Sequence, residues 1–371
     1  MLKAICVLNI VIAKVWGGGE QYVYDTAKEM GKRGVKVYIA VDKTNTAMQQ
    51  RFLEVAEVVA FDLYSFAGFF ALNGLVKFIK TYQVNIINCH SGHAMQLCLL
   101  LKKFTGAKLV MFKHNAICAK NDFYHKWQRK HTDAFICVSK LVYDLQTQGL
   151  TNEEKQKFYL VYNGIDTEKF NKYKSVKKDN DRFIIGYAGR IANNKGIDIL
   201  LKAFVILTKK YNNIYLQLAG NDDGYLKEVE QFINDNKLQN RVEYLGCLKD
   251  MELFYKKLDI FVLPSVVREA FGLTICEAMY CGVPVITTDS GAQSEIIENG
   301  VNGIIISKSN IDLLCIKMTE LYQNYDLRLQ ISVYGKNYIK KYFKINLCTK
   351  RILNIYKILR EEKVDGNENL N

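Results

Sequence analysis

Residues 183–211, FIIGYAGRIANNKGIDILLKAFVILTKKY, hold one complete structural unit. The apolar run Phe183–Tyr187 has the length and composition of a buried strand. Gly189-Arg190 closes it, and Lys195-Gly196 opens a helical pattern over Ile197–Tyr211. A continuously apolar strand fits a sheet covered on both faces, and the helix that follows supplies one of the covers. The same alternation extends in both directions. Strands are expected at Leu2–Leu8, Val35–Val41, Ile86–Cys89, Lys108–Phe112, Ala134–Val138 and Phe158–Val161, then at Tyr215–Ala219, Val242–Leu245, Ile260–Leu263, Pro284–Thr287 and Gly303–Ile306. Helical patterns lie between most of them, among them Gln21–Arg33, Met95–Phe104 and Ile311–Tyr322. Repeated βα units of this kind specify an α/β fold with parallel sheets.

The segment Asn171–Asp181, NKYKSVKKDND, interrupts the pattern. It is polar, charged and without period, as a linker between domains would be. It separates a Rossmann-like domain over residues 1–170 from a second over 182–344, and residues 362–371 form a polar tail. Ligands of doubly wound sheets bind beyond the C-terminal ends of the strands. Two such domains facing each other would place a cleft between them, and every motif below lies in a loop after an expected strand.

The chain of 371 residues is long enough for two cores and, at 49% hydrophobic residues, too apolar for a disordered protein. Its net charge is +13, and up to Phe170 there are 22 basic and 14 acidic residues. Such a surface favours phosphates, nucleic acid or an acidic membrane, although a Lys-rich proteome accounts for it equally. Ten cysteines are scattered without a CxxC pair or framework spacing, the usage of a reduced, cytosolic protein. Lys14 and a glycine run end the apolar start, where a signal peptide would carry a small-residue cleavage site, so a buried first strand is expected. The longest apolar run, Phe66–Val76, is too short to span a bilayer.

The chemistry concentrates in Glu269-Ala270-Phe271-Gly272-Leu273-Thr274-Ile275-Cys276-Glu277. Two carboxylates bracket a strand-to-helix turn that can turn backbone N–H groups toward an anion. Acceptors for sugar hydroxyls therefore sit beside donors for a phosphate. A surface Glu269 and a Glu277 suited to the helix dipole would be the plainer account. Glu277, however, stands in the apolar segment Leu273–Tyr280 and needs partners, which ribose hydroxyls would supply. Arg190 and Lys195, five residues apart, are able to neutralise a leaving diphosphate. Alone they read as solvated charges; beside the carboxylate pair they do not.

Other motifs are weaker. Gly17-Gly18-Gly19-Glu20 precedes a helix whose N-terminus favours a phosphate, but it is not GxGxxG, and a flexible turn explains it too. His90-Ser91-Gly92-His93 has no third ligand nearby and makes a poor zinc site. His114 follows a strand and is placed to hydrogen-bond a sugar hydroxyl, with a satisfied structural histidine as the alternative. The stretch Lys120–Thr132 interleaves basic and aromatic residues, as a membrane-surface helix or a patch for an anionic acceptor would, and a solvated helix would look much the same. Asp179-Asn180-Asp181 matches a metal-holding D-x-D pattern but falls in the linker.

These residues together resemble the retaining glycosyltransferases of family 4, which have the two-domain GT-B fold. The match runs nearly end to end: Gly18-Gly19-Glu20, Cys89-His90, Lys113-His114-Asn115, Val138-Ser139-Lys140, Asn163-Gly164-Ile165-Asp166, Ala188-Gly189-Arg190 with Lys195-Gly196, Leu218-Ala219-Gly220, Leu245-Gly246, the glutamate pair, and Gly282-Val283-Pro284-Val285. Ala270 and Asn221-Asp222-Asp223-Gly224 depart from the common pattern. The resemblance implies that Arg190 and Lys195 grip the donor's diphosphate, with Gly18 and Gly19 approaching it from the other domain. Glu269 would bind the transferred sugar, and N–H groups of Phe271, Gly272, Leu273 and Thr274 would lie near the phosphates. Glu277 would hold the ribose, backbone near Gly246 the base, and His114 the donor sugar beside the anomeric centre. The last helix, Ile345–Leu359 within 345–361, would cross back onto the first domain. The implied activity is metal-independent, retaining transfer of a hexose-type sugar from a nucleotide-sugar, a UDP-sugar first among them. The implied acceptor is a glycan or glycolipid of lipopolysaccharide core or another surface polysaccharide, reached in the cytoplasm or at the inner face of the membrane. No cofactor, metal or nucleic acid enters this reaction. A nucleotide-sugar epimerase or phosphorylase of the same fold, or a basic nucleic-acid-binding protein, are the alternatives.

Overall fold

The computed structural model describes residues 4–64, 71–173 and 181–361. The chain divides into two compact units, residues 1–164 with 345–371, and residues 165–344. The boundary at Gly164/Ile165 lies six residues before the one expected from composition. Residues 165–173 are tied to the second unit: Ile165 N–H donates to the Phe343 carbonyl at 2.9 Å, and the backbone N–H groups of Lys172 and Tyr173 donate to the buried Glu252 carboxylate at 2.9 and 3.3 Å. The first three residues of the expected linker are thus anchored rather than free. Residues 174–180, with Asp179 and Asn180 of the D-x-D pattern, lie outside the described residues, as do 65–70 and the polar tail.

The first unit carries seven parallel strands: β1 (Cys6–Ile10), β2 (Lys36–Asp42), β3 (Glu57–Phe61), β4 (Ile86–Cys89), β5 (Lys108–Lys113), β6 (Ala134–Cys137) and β7 (Phe158–Leu160). Their order is β3-β2-β1-β4-β5-β6-β7. The second carries β8 (Phe183–Ala188), β9 (Ile214–Ala219), β10 (Val242–Gly246), β11 (Ile260–Leu263), β12 (Val285–Thr288) and β13 (Ile304–Ile306), in the order β10-β9-β8-β11-β12-β13. Both are doubly wound sheets. Their strand order reverses between β1 and β4 in one and between β8 and β11 in the other, and these switch points are where loops diverge and leave room for a ligand.

Several elements differ from the expected bounds, three of them instructively. The first strand begins at Cys6, because pairing with β2 starts there. β3 was not among the expected strands: it is an edge strand, only partly buried, so EVVAF carries no run of buried apolar positions. The second unit's first helix ends at Thr208, short of Tyr211. The helix Ile345–Glu361 belongs to the first unit. It buries Ile345, Cys348, Ile352, Ile355, Tyr356 and Leu359, a three-and-four spacing that makes one apolar stripe, and packs it near the helix Gly18–Lys32.

Candidate active site

In the second unit the expected residues gather at the β8/β11 switch point. Gly189-Arg190 leaves the end of β8, and the turn that follows β11 carries Pro264, Ser265 and Glu269. Gly196 bridges the two loops. Its φ is +71°, and a Cβ there would overlap the Pro264 carbonyl oxygen, so the Lys195 turn lies directly on the β11 loop. Lys195 Nζ contacts Glu269 Oε1 at 2.6 Å, with both side chains about 15% exposed. Ser265 Oγ donates to the same Oε1. From the other side, Ala292 N–H donates to the Glu269 carbonyl at 2.9 Å, and a Cβ on Gly291 would strike the Glu269 backbone. Glu269 is therefore held at both its backbone and its carboxylate.

Arg190 sits on the rim. Its guanidinium pairs with Asp223, and both side chains are about half exposed. The buried Tyr187 hydroxyl donates to the Arg190 carbonyl at 2.8 Å. Burial, then the Glu269 carboxylate, push the Tyr187 phenol well up, so it remains a neutral donor between the two. Asp222, next to Asp223, accepts the N–H groups of Gly224, Tyr225 and Leu226 at 2.9–3.1 Å, and these bonds hold its carboxyl below the usual range. The departure Asn221-Asp222-Asp223-Gly224 thus has two separate jobs: Asp222 builds the turn and Asp223 holds Arg190. Neither cation is solitary. Each rests on a carboxylate that a diphosphate would have to replace.

Gly272 begins the helix Leu273–Tyr280 at φ +120°, and no side chain caps it. The first-turn N–H groups around Leu273 and Thr274 are the orphan donors that helices present to anions. On the next turn, Glu277 Oε2 accepts the buried Tyr255 hydroxyl at 2.8 Å. A protein hydroxyl, rather than a ligand alone, answers the need of this carboxylate for a partner. Gly246 ends β10 at φ +63°, and its carbonyl accepts Gly220 N–H at 2.8 Å.

The first unit gathers its residues at the β1/β4 switch point. Gly18 and Gly19 are not a loop: they form the first turn of the helix Gly18–Lys32, where Glu20 accepts Gly17 N–H at 2.9 Å. A Cβ on Gly19 would meet nothing, so close approach is possible there. Gly19, His90 and His114 line a cavity of about 740 Å³. His90 Nδ1 lies 3.1 Å from His114 Nε2, and His90 Nε2 lies 2.9 Å from Asn9 Oδ1. Burial holds both rings neutral: His114 is pulled down to about 4, and His90 falls well below the ordinary histidine value through burial and then the neighbouring His114. His90 thus spends both nitrogens inside the protein. Among the described residues no group of three or more His, Cys, Asp or Glu is placed to hold a metal ion.

Sequence reasoning missed Asn9, Tyr187, Asp223, Tyr255 and Ser265 as parts of these clusters, and with them Asn88, which donates to Asn9 Oδ1, and Tyr356, whose hydroxyl donates to Asn88 Oδ1. A signal existed for two of them. Asn9 and Asn88 interrupt otherwise apolar strands and are register partners on β1 and β4.

Two parallel, doubly wound Rossmann-like domains in one chain are the architecture of the GT-B glycosyltransferases. The Glycosyltransferase Family 4 domain matches residues 16–169, and the Glycosyl transferases group 1 domain matches residues 168–338. An uncharacterised glycosyltransferase of Methanocaldococcus jannaschii is 29% identical over 78% of this chain and 82% of its own length. The capsular polysaccharide biosynthesis glycosyltransferase CapM of Staphylococcus aureus is 30% identical over 62% of this chain and 63% of its own. The crystal structure of Anabaena HepE in complex with UDP and glucose superposes with a TM-score of 0.80 at 19% identity, covering 95% of this chain and all of that one. The chain belongs to the family 4 glycosyltransferases of GT-B fold, and its activity is glycosyl transfer.

Proposed function

We propose that this chain moves a hexose-type sugar from a UDP-sugar to a glycan or glycolipid acceptor of a surface polysaccharide, lipopolysaccharide core among them, with retention and without a metal. The observation that carries the reading is the Lys195–Glu269 pair beside the uncapped helix Leu273–Tyr280. It sets a cation and helix N–H groups for a diphosphate next to a carboxylate for sugar hydroxyls. The relatives support the rest: HepE is held with UDP and glucose, and CapM is named for capsular polysaccharide synthesis.

Departure of the diphosphate concentrates negative charge on its oxygens while the anomeric carbon becomes cationic. Lys195, Arg190 and the first-turn N–H groups are placed to stabilise the first charge, which is where preorganised donors contribute most. Arg190 reaches it by exchanging Asp223 for phosphate, a small cost for an exposed pair. Glu269, tied to Lys195 and Ser265, is a hydroxyl acceptor rather than a nucleophile. Without a carboxylate nucleophile, retention follows from attack on the same face as departure, the leaving phosphate taking the acceptor's proton. Within the second unit Glu277 is the candidate for the ribose and the Gly246 backbone for the base; within the first, Gly18, Gly19 and His114 are the candidate sugar-nucleotide contacts.

The reading extends to the membrane. The helix Phe123–His131 and its neighbour Met95–Thr105 border an apolar groove of about 730 Å³, lined by Leu99, Leu100, Tyr124 and Trp127 with Lys102 and Lys103 at its rim. Phe123 is 86% exposed. No helix among the described residues is long and apolar enough to cross a membrane. Aromatic and basic residues on one face fit a peripheral contact with anionic lipid.

Donor hydrolysis across UDP-, GDP- and ADP-sugars, in chelator, followed by product analysis with acceptor present, tests the proposal. UDP release with a product of unchanged anomeric configuration is expected. An inverted product, or an epimerised donor without acceptor, overturns it. Flotation with anionic vesicles tests the membrane contact separately; equal recovery with neutral vesicles removes it.

A further inference from the structure

A chain of uncharged hydrogen bonds runs through the first unit from its last helix to the cavity. Tyr356 hydroxyl lies 2.9 Å from Asn88 Oδ1, Asn88 Nδ2 lies 2.9 Å from Asn9 Oδ1, and Asn9 Oδ1 also meets His90 Nε2. His90 Nδ1 then meets His114 Nε2. The direction of each bond follows from one fixed end. Asn9 Nδ2 faces the Tyr38 carbonyl at 3.4 Å, and a carbonyl only accepts. The Asn9 oxygen therefore faces Asn88 and His90 and receives a proton from each. His90 is neutral and protonated on Nε2, so its Nδ1 offers a lone pair. His114 must donate to it from Nε2. Being neutral as well, His114 keeps a bare Nδ1, which has no partner among the described residues on a ring that lines the cavity.

We infer that Asn9, Asn88 and Tyr356 are positioning residues for the transfer reaction, locking His90 and His114 as Nε2–H tautomers so that His114 Nδ1 accepts a hydrogen bond from a sugar hydroxyl. The inference rests on the sugar-transfer reading for its ligand, but the tautomers are a property of the free protein. It gives the helix Ile345–Glu361 a role beyond packing: its Tyr356 sets the far end of the relay. The rings packed on the relay are uncharged: Tyr22 lies edge-on to His114 at 5.2 Å and Phe112 stacks on His90 at 4.5 Å; of the charged side chains that line the same cavity, Glu20 accepts Gly17 N–H and Lys113 lies over the Phe135 ring. Neither packed ring competes for its protons.

The test is long-range 1H–15N correlation of histidine side chains in the full chain without ligands near neutral pH, assigned with His90→Gln and His114→Gln. Both rings are expected as neutral Nε2–H tautomers. Asn9→Asp places a carboxylate against His90, favouring the imidazolium, whose Nδ1–H then donates to His114 and moves the His114 proton to Nδ1. Turnover should fall by roughly a hundredfold. Tyr356→Phe keeps the packed ring and removes only the hydroxyl; kcat should drop about fivefold with donor KM unchanged. If Asn9→Asp does not fold, the wild-type spectrum and Tyr356→Phe decide. A wild-type His114 protonated on Nδ1, or Tyr356→Phe with wild-type kcat, overturns the relay. The expected tautomers in a chain that transfers no sugar overturn the sugar-transfer reading instead.

Discussion

The two units solve the same problem with opposite materials. At the β8/β11 switch point the polar groups are charges: Lys195 on Glu269 and Arg190 on Asp223. At the β1/β4 switch point they are neutral: two imidazoles, two amides and a phenol, joined by hydrogen bonds of fixed direction. The half-exposed Arg190–Asp223 pair exchanges partners easily, as a group that binds and releases phosphate must, whereas the more enclosed Lys195–Glu269 pair is held in place. A buried neutral relay cannot rearrange without leaving a polar atom unpaired, so it suits a group that must present one lone pair in one direction. Under the proposed function, the charges would serve a leaving group and the oriented lone pair a sugar hydroxyl.

The largest test of this contrast is Lys195→Ala, expected to lower kcat by about 10²- to 10³-fold, read by donor turnover. Intact turnover would show that the charges are structural. Acid separates the units next. Because burial lowers the His90 and His114 pKa values, the unfolded chain takes up these protons first. The His114 contribution is full above about pH 6.5 and drains as pH falls toward about 4, and that of His90 is lost in the same direction. Both tryptophans, Trp16 and Trp127, lie in the first unit. Tryptophan fluorescence should therefore report its acid unfolding, and His90→Gln should shift that transition. Smaller still is Gly291→Ala. Its Cβ would displace the Glu269 backbone, at about 1–3 kcal/mol, read as a lower Tm together with weakened donor binding. The smallest effect belongs to Asp223→Asn, which should leave stability within about 0.5 kcal/mol because the pair is exposed. A larger loss by denaturant titration would mean that Arg190 is a structural cation.

The alternation of strands and helices was legible because a parallel strand covered on both faces writes itself as an apolar run. β3 was not, because an edge strand is covered less fully and EVVAF does not stand out. The Lys195–Glu269 pairing was half legible. The two residue types invited it, but the Gly196 contact with Pro264 that brings them to 2.6 Å depends on neighbouring strands 75 residues apart in sequence, Ile185 beside Ile260. The relay was illegible except for its two asparagines. Tyr356 reads as one more apolar position on a helical stripe, and nothing local says that its hydroxyl meets Asn88, 268 residues earlier. That Arg190 pairs with Asp223 was not legible, because Asp223 belongs to a loop whose shape is set by Asp222 and the end of β9.

The helix Ile345–Glu361 completes a unit whose strands all lie before residue 165. During synthesis, the segment 165–344 leaves the ribosome whole and is able to close while the earlier one still lacks its last piece. The part of Gly18–Lys32 that this helix meets, where the Tyr22 hydroxyl lies 3.7 Å from Cys348 Sγ, must wait uncovered through about 180 further residues, roughly nine to thirty-six seconds of translation. The amino-terminal half begins first and finishes last, and for that interval its open apolar face is a natural target for a chaperone.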